Sequence, residues 1–203
     1  MRARDIMTSP VITVRAGTTV QAAAALLAER GFTALPVVDD DDRLMGIVTE
    51  ADLVRDRFPR DPRSLIHGEV VAAVVSAAET VGEVMSTPVT TMGPGTDVAE
   101  LTAALLDARR RSMPIVDGSR VIGIVTRRDL VRVVARDDTT IARDVRHRLE
   151  IYGGTHRWRV DVHRGVVTIR DRFDDATDHH VASVLAEAVP GVVRVTPQAG
   201  AER

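Results

Sequence analysis

The sequence of 203 residues contains no cysteine, which excludes disulfides, thiolate metal sites and cysteine nucleophiles. It also contains no lysine or asparagine, so every strongly basic residue is arginine, a bias that we attribute to coding and not to function. Long hydrophobic runs are missing, because apolar stretches such as Val70–Val75 are far shorter than the roughly 20 residues of a membrane span. Met1–Val14 has no continuous apolar core and is therefore neither an export signal nor an anchor, which predicts a cytoplasmic protein.

Catalytic and metal-binding signatures are missing as well. The sequence has no nucleophile elbow, no phosphate-binding Gly-Lys loop and no zinc-protease helix, so we expect a protein that is not an enzyme. The densest histidine pair, His179-His180, would point about 100° apart on a helix and could not chelate one ion, so no metal site is expected. A net charge of −2 also argues against a general nucleic-acid binder, although the arginine clusters keep that class open as a weaker alternative.

What the sequence does contain is an internal repeat. Asp5–Val14 returns as Glu83–Met92, 78 residues later, and Pro36–Asp39 returns in the same register as Pro114–Asp117. The acidic loop Asp39–Asp42 of the first copy is one residue longer than its equivalent in the second. The segment from Gly46 to Arg55 therefore returns 77 residues later, as 123–132. Such a register predicts two copies of one supersecondary unit.

Each copy predicts the order β, α, β, β, α. In the first, Thr18 or Thr19 caps a helix that Gly31 ends, and two strands follow before Thr49 caps a second helix. In the second copy we expect Thr96 to cap the first helix, with four residues buried: Val98, Leu101, Leu105 and Leu106. An apolar helix over Leu65–Ala78 is predicted between the copies.

Each copy also has a Gly-apolar-apolar-Thr-x-x-Asp segment, in which a strand turns directly into a helix. The free amides at a helix N-terminus attract anions, and the hydroxyl of Thr49 or Thr126 could meet a phosphate or ribose oxygen there. The carboxylate of Asp52 or Asp129 could accept hydrogen bonds from both ribose hydroxyls. The alternative interpretation is a capping box, in which these residues only cap their helices, and the two interpretations are compatible.

These motifs resemble a tandem pair of cystathionine-β-synthase (CBS) domains, also called a Bateman module, over Met1 to about Asp137. The resemblance implies an α/β (α+β) fold of two repeats, with residues 1–57 as the first, 58–78 as the linker, 79–137 as the second, and 138–203 as a further domain. It also implies an adenine nucleotide (AMP, ADP, ATP or a related adenosyl ligand) as regulatory ligand, with Mg²⁺ left open, bound in clefts that draw on both repeats.

The resemblance assigns the ligand contacts position by position. Thr49 with Asp52 and Thr126 with Asp129 would hold ribose and phosphate. Adenine and the cleft walls would be contacted by residues at the repeat starts and before the second strands, namely Thr8, Pro10, Val11, Thr13, Ser86, Pro88, Val89, Thr91, Thr33, Ala34, Arg111 and Ser112.

The two copies differ in charge beside the Thr-x-x-Asp segment. The first has Glu50, which would oppose a phosphate, whereas the second has Arg127 and Arg128, which could pair with one. We therefore expect the Thr126–Asp129 site to be the better one for a phosphorylated ligand. The arginine run at 109–111 has two interpretations of equal weight, a phosphate contact and a solvated helix end.

A homodimer is expected from the resemblance, because such modules pair through apolar helix faces. Leu26, Leu53, Leu105 and Leu130 could supply the patch, with two-fold symmetry. The runner-up function is accordingly a non-catalytic dimeric scaffold with decayed pockets.

The remaining residues, from Asp138 onward, predict the order α, β, β, α, β. One helix buries Ile141, Val145 and Leu149, and a hairpin turns at Gly165. The second helix, over Ala176–Val189, is expected to bury Val181, Val184, Leu185 and Ala188, before a last strand over Val192–Val195.

This order resembles the BON domain, a small module linked to phospholipid or envelope association. The second glycine of that pattern is replaced by Asp171 or Arg172. Membrane contact by one basic sheet face is an open alternative, with docking to a protein surface favoured; the face would comprise Arg157, Arg159, Arg164, Arg170 and Arg172.

Overall fold

The elements of the chain follow the predicted order closely in the computed structural model, which describes residues 1–55, 57–58, 78–173 and 175–198. The helices are α1 (Val20–Arg30), α2 (Glu50–Val54), α3 (Val81–Val84), α4 (Val98–Asp107), α5 (Arg127–Val134), α6 (Asp138–Gly153) and α7 (Ala176–Glu187). The strands are β1 (Val14–Arg15), β2 (Ala34–Val38), β3 (Leu44–Thr49), β4 (Ser112–Asp117), β5 (Arg120–Thr126), β6 (Trp158–His163), β7 (Val166–Asp171) and β8 (Arg194–Gln198). These elements make the mixed α/β fold that the repeat pattern predicts.

The chain divides into two compact units that do not coincide with the repeats. The first unit comprises Thr8–Gly93 and Arg109–Ile124. The second comprises Met1–Met7, Pro94–Ala108 and Val125–Arg203. The expected apolar helix over Leu65–Ala78 lies, except for its last residue, outside the described residues.

The first unit contains a three-stranded sheet in the order β1-β2-β3, with β1 parallel and β3 antiparallel to β2. Helix α1 packs on it because Val20, Ala23 and Leu27 fall on one face and are buried. The Thr19 hydroxyl accepts a hydrogen bond from the amide of Ala22, and Gly31 ends the helix in the left-handed region at a φ of 63°. Both predicted ends of this helix are confirmed.

The first strand of the second repeat is reduced to a single parallel bridge between Met92 and Ile115. The next helix, α4, is capped by Asp97 and not by Thr96, because the Asp97 carboxylate accepts the amide of Ala99 at 2.8 Å. Asp97 is the repeat equivalent of Thr19, so the two caps correspond. The expected burial of Leu106 is also wrong, since its side chain is 53% exposed.

The C-terminal part of the second unit has the predicted order α6, β6, β7, α7, β8. Strands β6 and β7 form the expected antiparallel hairpin, with Gly165 at a φ of 73° in its turn, and β8 joins β7 in parallel. Its hydrophobic core takes Ile141, Val145 and Leu149 from α6.

Two details of this part differ from the prediction. Helix α7 buries Ala182 and Ala186, with Leu185 packed against the core, while Val184 is 52% exposed. The last strand begins at Arg194, two residues later than expected. Among the described residues, no helix has the length and apolarity that crossing a membrane requires.

Candidate functional site

Each Thr-x-x-Asp segment forms a reciprocal capping box at the junction of a strand and a helix. In the first unit, one oxygen of Asp52, Oδ2, accepts hydrogen bonds from the Thr49 amide at 2.9 Å and the Thr49 hydroxyl at 2.7 Å. In the second unit, Asp129 Oδ2 accepts the same two bonds from Thr126 at 2.8 and 2.7 Å. Both aspartates are nearly buried, at 9% and 5% exposure. The capping interpretation is therefore confirmed at both strand–helix junctions, which we call the Thr49–Asp52 corner and the Thr126–Asp129 corner.

The other carboxylate oxygen of each aspartate faces an arginine one helical turn further on. Arg55 lies 3.7 Å from Asp52 Oδ1, and Arg132 lies 3.2 Å from Asp129 Oδ1. Both arginine side chains are largely exposed, at 70% and 63%. Since exposed ion pairs contribute little free energy, a ligand hydroxyl could displace either arginine. Sequence reasoning missed both, although i,i+3 spacing on a helix was the available signal.

Within the first unit, the strand that leads to Thr49 meets the start of the second repeat. Ile47 and Ser86 exchange two backbone hydrogen bonds, at 3.1 and 2.9 Å, and the Thr87 hydroxyl donates to the carbonyl of Met45. The approach is close at Gly46, where a Cβ would lie 2.5 Å from Sδ of the flexible Met85 side chain and 3.2 Å from the Ser86 carbonyl oxygen, so a larger residue would require both to shift. The first repeat's corner and the second repeat's start therefore share one sheet edge.

The other predicted walls of this corner are also placed by backbone contacts. The Thr33 carbonyl accepts the amide of Glu50 at 3.3 Å, and Ala34 pairs with Thr49 in the sheet register. Arg111 lies against Glu50, with Nη1 3.7 Å from Oε2, just before the buried Ser112. This Glu50–Arg111 pair was not anticipated, because its partners are far apart in sequence.

In the second unit, Arg127 occupies the position equivalent to Glu50. Its guanidinium donates to the carbonyl of Leu105 at 3.0 Å, near the C-terminal end of α4. Arg128 is exposed. Arg127 thus has a backbone partner at the end of α4, whereas its contact with a phosphate stays a prediction.

The start of the first repeat pairs with β5. Thr8 and Ile124 exchange two backbone hydrogen bonds, at 2.9 and 3.2 Å, and both belong to the first unit. The peptide bonds Ser9–Pro10 and Thr87–Pro88 are cis at equivalent positions of the two repeats. The remaining predicted contacts in the first unit are exposed or half-buried, namely Pro10, Val11, Thr13, Pro88, Val89 and Thr91.

The predicted apolar patch for pairing is wrong in half of its members. Leu53 is 3% exposed and Leu105 is fully buried, because both pack in the interior of the chain. Exposed apolar side chains occur instead at the neighbouring Val54 on α2 and at Val131 and Val134 on α5.

The predicted basic sheet face is also wrong in one member. Arg157 is only 14% exposed and donates to Asp171 through two bonds, at 2.8 and 2.6 Å. It also pairs with Asp178 and lies over the ring of Trp158, 4.5 Å from the centroid. Arg157 is therefore a structural residue. Among the described residues, no group of three or more His, Asp or Glu side chains could hold a metal ion.

Comparison with known proteins identifies the class that these repeats define. The profile of the CBS domain matches residues 3–57 and 81–136, and the chain belongs to this family.

A relative and two solved structures are similar over the repeat region. The uncharacterized protein MJ1404 of Methanocaldococcus jannaschii is 30% identical over 131 residues, 64% of this chain and 31% of that protein, so the chain spans less than a third of it. CBSX2 in complex with AMP is 30% identical, with a TM-score of 0.52 over 64% of this chain and 93% of that one. The CBS domain pair of MJ0100, in complex with 5′-methylthioadenosine and S-adenosyl-L-methionine, is 26% identical, with a TM-score of 0.53 over 66% of this chain and 94% of that one.

Proposed function

We propose that this protein is a regulatory, non-catalytic module that binds an adenosyl ligand at its Thr-x-x-Asp corners and signals by a change of conformation. The observation that carries the proposal is the divided role of each corner aspartate. One oxygen caps the helix, and the other faces an arginine whose side chain is largely exposed and therefore displaceable.

The vicinal hydroxyls of a ribose suit such an oxygen, because a carboxylate accepts charge-assisted hydrogen bonds, which are stronger than neutral ones. The capping box holds the carboxylate in place before the ligand arrives, so little ordering is required on binding. That CBSX2 binds AMP, and that the MJ0100 pair binds 5′-methylthioadenosine and S-adenosyl-L-methionine, supports the ligand class.

We further propose that the module works as a homodimer and that residues 138–203 form a BON-like domain that docks onto a protein partner. The exposed Val54, Val131 and Val134 are candidates for the dimer contact. The order of elements in the C-terminal part and the positive φ of Gly165 and Gly191 support the likeness to BON domains.

A thermal-shift screen tests the proposed ligand class, with AMP, ADP, ATP, NADH, S-adenosylmethionine and cyclic dinucleotides as probes. A ligand at 100 times its Kd stabilises the folded chain by about 2.7 kcal/mol, which is readily measured as a rise in Tm. No shift with any of these compounds would contradict the proposal and favour the scaffold alternative. Light scattering tests the dimer, because a 22.0 kDa particle at micromolar concentration would exclude it.

A further inference from the structure

A pair of opposite charges lies directly beside the Thr49–Asp52 corner. Glu50 follows Thr49 in the chain, and its Oε2 is 3.7 Å from Arg111 Nη1. Half of the Glu50 side chain and 70% of the Arg111 side chain are exposed, so both charges face the solvent from which a ligand would enter. The equivalent residue of the second repeat is Arg127, so this pair is specific to the first corner.

The pair changes what a phosphate would meet at this corner. An anion held near the Thr49 hydroxyl would lie close to the Glu50 carboxylate, which repels it. Arg111, the cation that could compensate, lies beside Glu50, so the opposite charges of the two side chains largely offset each other at this corner. The Glu50 amide, the first of α2, is also engaged, because it donates to the Thr33 carbonyl at 3.3 Å. A phosphate therefore adds little binding free energy here, although the ribose acceptor, Asp52, is intact.

We infer that the Glu50–Arg111 pair sets the ligand preference of the Thr49–Asp52 corner, which binds the adenosyl part of a ligand and gains little affinity from a 5′ phosphate. This inference rests on the proposed function. It assigns Glu50 as a specificity determinant whose negative charge offsets the attraction of Arg111 for a ligand phosphate.

Calorimetry with AMP and adenosine tests the inference, because the two compounds differ only in the phosphate. The measurements are made on the full chain carrying Asp129→Ala, which removes the ribose acceptor of the other corner. With Glu50 and Arg111 in place, we expect AMP and adenosine to bind within about threefold of each other, because attraction by Arg111 and repulsion by Glu50 nearly cancel.

The two variants Glu50→Gln and Arg111→Ala should move the ratio of AMP affinity to adenosine affinity in opposite directions. Glu50→Gln removes the charge that opposes Arg111, and we expect AMP to gain about tenfold over adenosine through a charge-assisted contact. Arg111→Ala leaves Glu50 unbalanced, and AMP should fall several-fold below adenosine. The readout is the ratio of the two affinities in each variant, so a change common to AMP and adenosine cancels. Glu29→Gln, a charge change on the exposed side of α1, is the matched control and should leave the ratio unchanged.

Three results would overturn the inference. AMP binding tenfold or more tightly than adenosine before Glu50 is changed would show that the pair does not disfavour phosphate. An unchanged ratio of AMP affinity to adenosine affinity in Glu50→Gln would show that the Glu50 charge does not affect the binding of a phosphate. If neither compound binds, while Asp52→Ala is equally inert, the proposed function of this corner fails and the inference fails with it.

Discussion

Asp52 and Asp129 in the repeats differ from Asp171 in the C-terminal part, although all three carboxylates are nearly buried. Asp171 is 1% exposed, and both of its oxygens accept hydrogen bonds from Arg157, itself only 14% exposed. The repeat aspartates use one oxygen for a cap and turn the other toward an arginine that is mostly exposed. Burial of a carboxylate thus does not identify a binding site. The accessibility of its partner separates a structural aspartate from one that can exchange partners.

The largest effect is expected from removing the buried partner. Arg157→Ala leaves the Asp171 charge buried and unpaired, which we expect to lower the free energy of unfolding by about 3–5 kcal/mol. Urea denaturation followed by fluorescence of Trp158, the single tryptophan, measures it.

The matched control is Arg159→Ala, since Arg159 lies two residues further on, is exposed on β6, and should change stability by no more than about 0.5 kcal/mol. A loss below about 1 kcal/mol in Arg157→Ala would place Asp171 in the same class as the repeat aspartates.

Protonation should weaken the same ion pair. The hydrogen bonds from Arg157 hold the pKa of Asp171 below its ordinary value near 3.8, and Tyr152 and then Arg157 do the same for the pKa of Asp178. A depressed pKa stabilises the fold above the ordinary value, and that stability is lost as the pH falls through the folded-state pKa. The urea midpoint should therefore fall as the pH is lowered from about 5 to about 3.

Arg157→Ala is the comparison for this measurement. Without the guanidinium, Asp171 loses the main cause of its lowered pKa and Asp178 loses the second cause of its own. The urea midpoint of this variant should therefore fall less steeply as the pH is lowered. Equal slopes in the two proteins would mean that other groups govern the acid sensitivity.

Local signals in the sequence predicted the corners well, while partners distant in sequence were missed. Thr49, Thr126 and Gly31 act on neighbouring backbone groups, so their caps follow from the sequence. The partner of Arg157 required knowing that β6 and β7 bring Trp158 opposite Asp171. Here the alternation pattern predicted the hairpin but not which charges would be buried in it.

Burial was the other part that periodicity predicted incompletely. Leu105 and Leu106 are adjacent and point about 100° apart on α4, and only the first is covered: Leu105 is fully buried and Leu106 is 53% exposed. Leu53 was expected at an exposed face and lies in the core of the first unit instead. A helical pattern identifies an apolar stripe, but only the packing of neighbouring elements decides which of its edges is covered.

Ligand affinity should distinguish the two repeat aspartates from each other. Asp129→Ala removes charge-assisted hydrogen bonds to a ribose, so we expect AMP affinity to fall about ten- to a hundredfold, or 1.5–3 kcal/mol. Asp52→Ala should cost less AMP affinity, because Glu50 disfavours a phosphate at that corner. Calorimetry with AMP measures both variants.

Asp137→Ala is the matched control, because Asp137 caps α6 by accepting the amide of Thr140 at 2.8 Å and has no proposed ligand contact. Both cap losses should cost about 1 kcal/mol of stability, but only Asp129→Ala should weaken AMP binding. Equal affinity losses for Asp52→Ala and Asp129→Ala would refute the difference between the corners. Unchanged AMP affinity in Asp129→Ala would show that Asp129 caps its helix and does not contact the ligand.

The smallest effect is expected from the displaceable arginines. Arg132→Ala removes an exposed competitor for Asp129 Oδ1, and because an exposed ion pair contributes at most about 1 kcal/mol, adenosine should bind no more than about fivefold more tightly. Arg55→Ala should have a weaker effect, since Arg55 is 3.7 Å from Asp52 Oδ1 whereas Arg132 is 3.2 Å from Asp129 Oδ1. Adenosine is the probe because it has no phosphate that either arginine could contact. Weaker binding of adenosine to Arg132→Ala would reverse the assignment, since Arg132 would then support the ligand and not compete with it.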